Sequence, residues 1–181
     1  MTRLSMMTRR AVMPLLLALC ALVIGSSAAN AASTPFADPL SRFSFTLPDG
    51  WQAQSDVSDN ATFVFTDVPD NATFVITMQP KPESGTLADV TQTFVSIASL
   101  SPQYQADAAG VRDTTIGGVP AKTFVYTAQG NSDANATTTT QVYTLIHKDL
   151  SLYQFTLAAP PDKAPAAMAA AKSLLDSWMF A

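Results

Sequence analysis

Apolar side chains at every second position constrain this chain more than any other feature. Phe43, Phe45 and Leu47 alternate with Ser44 and Thr46. In an extended backbone the three apolar groups share one face and the two hydroxyls the other, the signature of a half-buried strand. Pro48-Asp49-Gly50 then predicts a reversal into Trp51, because Pro fixes φ and Gly accepts the positive φ the turn requires. The ten residues Asp56 to Phe65 recur as Asp67 to Ile76, with eight of ten positions identical at an offset of eleven. A unit this short cannot build a solenoid. It predicts two neighbouring strands, Ala61 to Thr66 and Ala72 to Met78, each entered through an Asp-Asn turn and joined as a hairpin. Val64 and Val75 stand opposite Phe63 and Phe74 across the pleat, so both faces of this hairpin are expected to be covered.

The pattern changes after Gln79-Pro-Lys-Pro-Glu-Ser-Gly85. Thr86 followed by Asp89 is a capping-box spacing that opens a helix, with Leu87, Val90, Phe94 and Ile97 predicted on its inner face and Pro102 beyond its end. Four strand candidates follow: Val111 to Ile116, Val119 to Thr127, Thr137 to His147 and Leu150 to Leu157. Gly117-Gly118 and Lys148-Asp149 are expected to turn the two hairpins, and the polar run Gly130 to Thr140 to form the loop between them. Pro160-Pro161-Asp162 starts a last helix, on which Ala164, Met168, Ala171, Leu175 and Trp178 recur at helical spacing. The expected fold is therefore α+β, an antiparallel sheet of about six to seven strands sandwiched by helices.

Residues 1 to 31 read as a cleavable signal peptide. Arg3, Arg9 and Arg10 precede an apolar run from Ala11 to Gly25, and Ala29-Asn-Ala31 offers a small-x-small cleavage site. The run is shorter than the ~18 residues of a membrane span, so no transmembrane segment is expected after its removal. Thr8-Arg9-Arg10 also fits the start of a twin-arginine signal, although an ordinary secretory leader suits the following residues better. Cys20 lies within the apolar run and Leu19 before it does not suit a lipobox. The remaining residues, 32–181, are expected to form a single domain with seven basic and fourteen acidic side chains, a net charge of −7. Without a basic patch to displace counterions, nucleic acid is excluded as a partner. With no cysteine outside the leader, stability rests on the core, and a domain of this size buries roughly 70% of its unfolded surface.

Side chains able to move protons are scarce. Outside the leader there is one histidine, His147, and one glutamate, Glu83. No Gly-x-Ser-x-Gly elbow supplies a nucleophile, and neither Gly-x-Gly-x-x-Gly nor a phosphate loop occurs. The sequence alternatives are a hydrolase using His147 and Asp149, and a calcium-dependent adhesion or stability module using Asp56, Asp59, Asp67 and Asp70 with Asn60 and Asn71, since hard cations gather oxygen ligands. Asp and Asn in turns also bond their own backbone, which explains the same pattern without a cation. No catalytic residue, metal ligand or cofactor is therefore expected. Three Asn-Ala-Thr triplets, at Asn60, Asn71 and Asn135, are read as by-products of the repeat and the Thr-rich run. Among the many aromatics, Tyr126, Tyr143 and Tyr153 carry a polar tip and are the candidates to line a ligand groove.

Three short motifs carry a resemblance: Phe43-Ser-Phe-Thr-Leu-Pro-Asp-Gly-Trp51, the hairpin Thr115-Ile-Gly-Gly-Val-Pro-Ala121, and Ser173-Leu-Leu-Asp-Ser-Trp-Met-Phe180. Together they resemble the PsbP/DcrB-like families, in which a Leu-Pro-x-Gly-Trp turn, a Gly-Gly hairpin and a final Ser-φ-x-x-Ser-aromatic helix recur. The resemblance implies a PsbP-like sheet flanked by helices, in proteins that dock to larger assemblies such as photosystem II or that sit in the bacterial periplasm. The chain lacks a thylakoid-type presequence and a lipobox, and the family offers no catalytic motif to carry over. The expected function is a periplasmic, non-catalytic binding or accessory module of the cell envelope, with an envelope protein or a lipid as its partner.

Overall fold

The structure, a computed structural model, describes residues 33–54, 61–129 and 138–181. The leader at 1–31, the repeat residues Asp56, Asp59 and Asn60, and most of the Gly130 to Thr140 run with Asn135 lie outside the described residues.

Eleven strands and two helices follow one another as β1 (Thr34–Ala37), β2 (Phe43–Leu47), β3 (Trp51–Ala53), β4 (Thr62–Asp67), β5 (Ala72–Pro80), α1 (Leu87–Ser99), β6 (Tyr104–Ala106), β7 (Arg112–Ile116), β8 (Val119–Gln129), β9 (Thr138–Lys148), β10 (Ser151–Ala159), α2 (Ala164–Asp176) and β11 (Met179–Phe180). The main sheet has eight strands, more than the six to seven expected from sequence. Its order is β3-β4-β5-β10-β9-β8-β6, with β7 also paired to β8, and every pairing is antiparallel. A second, three-stranded sheet, β1-β2-β11, stands apart from it. The extra strands are two to four residues long, too short to show a period of their own.

The repeat does form a hairpin. Phe63 lies opposite Ile76, Val64 opposite Val75 and Phe65 opposite Phe74. The turn between them needs a left-handed residue, and Asn71 takes φ 47° there, a conformation Asn tolerates better than most side chains. At the other hairpin Gly117 and Gly118 both hold positive φ, 54° and 78°, as the right-handed twist of the flanking strands favours.

Each face of the main sheet has its own cover. α1 begins with a complete capping box: the Asp89 amide donates to Thr86 Oγ1 and the Thr86 amide to the Asp89 carboxylate. Its inner side, Leu87, Val90, Phe94, Val95 and Ala98, packs on Phe124, Tyr126, Leu145 and Leu152. Ile97, expected on that side, is instead 63% exposed. The opposite face is covered by α2 and by the small sheet. α2 turns Ala164, Ala167, Ala171 and Leu174 inward, while Met168 on the same helix remains 37% exposed. Trp178 lies just past the helix and stacks on Phe43 with ring centroids 4.4 Å apart. Ser177 fastens the helix end, donating to the Leu174 carbonyl and accepting from the Thr46 amide of β2.

Candidate functional site

Register decides where the three tyrosines point. Tyr126 on β8 lies opposite Gln141, and Phe124 opposite Tyr143 on β9, so Tyr126 and Tyr143 emerge on the α1 face with ring centroids 6.3 Å apart. Phe124 stacks on Tyr143 at 5.3 Å. Tyr126 is 2% exposed and its hydroxyl donates to the Val95 carbonyl of α1, while the Tyr143 hydroxyl donates to Gln141 Oε1. Tyr153 emerges on the other face, in edge contact with Phe180, Phe43 and Trp178. The structure thus brings two of the three together and places the third on the far side of the sheet. Burial pushes all three phenols above their ordinary value, with Tyr104 and Tyr126 adding to the effect at Tyr143.

A recess opens on the α2 face, between the helix and strands β7 to β10. It holds about 170 Å³. Phe74, Val142, Phe155 and Leu157 form its apolar floor, and Met168, Ala171 and Leu175 its helical wall. Threonines occupy positions that a closed core would fill with larger apolar groups: Thr114 on β7, Thr123 on β8 and Thr144 on β9. Thr144 is only 4% exposed. Its hydroxyl donates to Thr123 Oγ1 at 3.1 Å, and Thr123 in turn donates to the Tyr143 carbonyl at 3.0 Å. A buried hydroxyl needs such a partner, because leaving it unpaired costs about 1–3 kcal/mol. Lys172 and Asp176 line the cleft as an ion pair of largely exposed side chains one turn apart on α2. The alternating pattern does not single out these threonines; the register places them inside.

The histidine and the aspartates singled out in the sequence lie elsewhere. His147 pairs with Leu152 across β9 and β10, on the α1 side of the sheet. Its Nε2 is covered and has no hydrogen-bond partner. Burial, and after it the Lys81 ammonium, lowers its pKa. Asp149 sits in the β9–β10 turn with φ 54°, and its carboxylate accepts from Lys148 at 2.6 Å. No hydrogen bond joins His147 to Asp149, so the pair required of a hydrolase is not assembled. Of the repeat's aspartates, Asp70 accepts from the Lys163 ammonium at 3.0 Å, a cation already supplied by the chain. Burial and the neighbouring Asp70 charge push the Asp67 carboxyl up. Among the described residues, no group of three or more His, Cys, Asp or Glu side chains converges as a metal site would require. No helix among them is long and apolar enough to cross a membrane.

Comparison with known proteins agrees with this architecture. Mog1p, a Ran-binding protein of Saccharomyces cerevisiae, superposes with a TM-score of 0.60 at 12% identity, covering 82% of this chain and 95% of that one. Cyanobacterial PsbP (CyanoP) from Synechocystis sp. PCC 6803 superposes with a TM-score of 0.57 at 19% identity, covering 87% of this chain and 99% of the other. LpqN, involved in cell envelope biogenesis of Mycobacterium tuberculosis, gives 0.54 at 20% identity over 82% and 84%. At these identities the likeness is one of fold. No curated protein matches the chain in sequence. The profile of the PsbP family matches residues 31–180, and the chain therefore belongs to the PsbP family.

Proposed function

We propose that the protein is a non-catalytic binding or accessory module, exported to the periplasm by its leader, that serves the bacterial cell envelope through the shape of its surface. The observation that carries this reading is the separation of concavity from chemistry. The recess on the α2 face is built of apolar side chains and threonines, with its one acid held by Lys172, whereas His147 lies on the opposite face of the sheet. An enzyme concentrates its acid and base in the pocket that holds the substrate. A binding module does not need to. Membership of the PsbP family supports the reading, as does the fold shared with LpqN, a protein of cell envelope biogenesis, and with the Ran-binding Mog1p. The partner is an envelope protein or a lipid.

In-cell crosslinking of the exported protein, with lipid extraction of the purified material and fractionation of the cells, tests this directly. The expected result is recovery in the periplasmic fraction with a reproducible envelope protein or lipid attached. A protein confined to the cytoplasm, or a hydrolytic turnover abolished by His147→Ala, would overturn the proposal.

A further inference from the structure

The chemistry of the recess on the α2 face restricts what it can hold. Its volume, about 170 Å³, is close to the ~150 Å³ of an engineered apolar cavity that takes up one benzene molecule. One aromatic ring fits.

Hydrogen bonding at the floor adds direction. The Tyr143 carbonyl can only accept, so Thr123 must spend its single proton there. The contact between Thr144 and Thr123 must then be made by the Thr144 proton. Both donors are consumed, and Thr144 Oγ1 is left with acceptor capacity alone. Water competes for the place, because the threonine hydroxyls of the lining offer it polar partners, but it gains nothing from the apolar floor of Phe74, Phe155 and Leu157.

We propose that this recess is a binding site for a small phenol: a single ring seated against Phe74, Phe155 and Leu157, with its hydroxyl donating to Thr144 Oγ1. Phe and Leu side chains supply the apolar contact and the threonine acceptor fixes the orientation. The assignment names a ligand for the binding module proposed above and rests on that reading.

Binding of p-cresol and of toluene to the protein purified from its own cells, followed by saturation-transfer NMR and titration, tests it. The two probes differ by one hydroxyl. p-Cresol is expected to bind at least about fivefold more tightly than toluene, the worth of one neutral hydrogen bond. Thr144→Val keeps the volume, removes the acceptor and is expected to abolish that preference while toluene still binds. Ala171→Phe, or Thr114→Phe on the edge strand should the helix variant fail to fold, fills the recess and is expected to abolish binding of both. No binding to the unaltered protein, equal affinities for the two probes, or a preference that survives Thr144→Val would each overturn the assignment. Recovery of a crosslinked envelope partner without p-cresol binding would sink the ligand and leave the module standing. Conversion of p-cresol to a product would sink the module.

Discussion

On the α2 side of the sheet, twenty-one of the described residues form one buried cluster, whereas on the α1 side four do. The larger cluster joins β2, β4, β5, β10 and α2 around Phe43, Phe45, Phe155 and Trp178, so elements distant in sequence are bound into one core. The smaller is sealed by one helix whose inner residues are themselves mostly half-buried. α1 meets β6, β8 and β9. Beyond its reach, Val64, Val75 and Thr77 on the same face remain half-buried. The contrast teaches that the densest packing and the recess beside α2 share one side of this molecule. The α2 cover can leave a recess over the sheet because the rest of its interface is densely packed, while the α1 cover has little packing to forgo.

The largest expected effect tests that asymmetry. Trp178→Ala empties a fully buried site and should lower unfolding free energy by about 3–5 kcal/mol in urea titrations, whereas Phe94→Ala on half-buried α1 should cost about half as much. Equal losses would erase the distinction between the faces. Gly117→Ala comes next. Its Cβ would lie 3.0 Å from Phe180 Cδ2 and 3.1 Å from Trp178 Cδ1, and the residue must also hold positive φ. A loss of about 1–3 kcal/mol is expected, with a change in Trp178 fluorescence.

Asp38, buried in the β1–β2 loop, sharpens the comparison through pH. Burial alone would raise its carboxyl, but two bonds from the Arg42 guanidinium, at 2.6 and 2.8 Å, and one from the Arg42 amide hold it below its ordinary value. Because the folded pKa is depressed, the stabilisation is complete above the unfolded value of about 3.9 and is lost as pH falls through the folded value. Asp38→Asn should cost about 2 kcal/mol at neutral pH, and the gap from the unaltered protein should close only below about pH 4. A gap that closed near pH 6 would contradict this. The smallest effect belongs to the α1 face: Thr86→Ala removes the helix cap, costs about 1 kcal/mol, and should increase amide exchange in the first turn of α1 without disturbing α2.

Much of this architecture can be read from the amino-acid order where a period extends over several residues. The repeat hairpin, the Gly-Gly turn and the capping box of α1 occur where local chemistry requires them. The short strands β1, β3, β6 and β11 escape because two to four residues show no period, and β11 exists only through its pairing with the distant β2. Ile97 and Val95 exchange roles on α1 because the packed stripe runs through Thr91, whose hydroxyl returns to the Leu87 carbonyl and lets a polar residue sit inside. On β9, Thr144, Leu145 and Ile146 are all buried. Three consecutive buried positions on a strand covered on both faces give no alternation to follow, so the inward direction of Thr144, and with it the recess, is set by register alone. Tyr153 illustrates the same limit: its tip is polar, yet an odd position on β10 sends it into the aromatic core.

The claim that the protein works by binding through its α2 side can be tested in cells with a photoreactive residue placed on either face. p-Benzoylphenylalanine replacing Lys172 stands beside the recess, and the same group replacing Val75 stands on the opposite face. The account predicts crosslinked adducts from position 172 and none above background from position 75. Adducts from position 75 alone would contradict it.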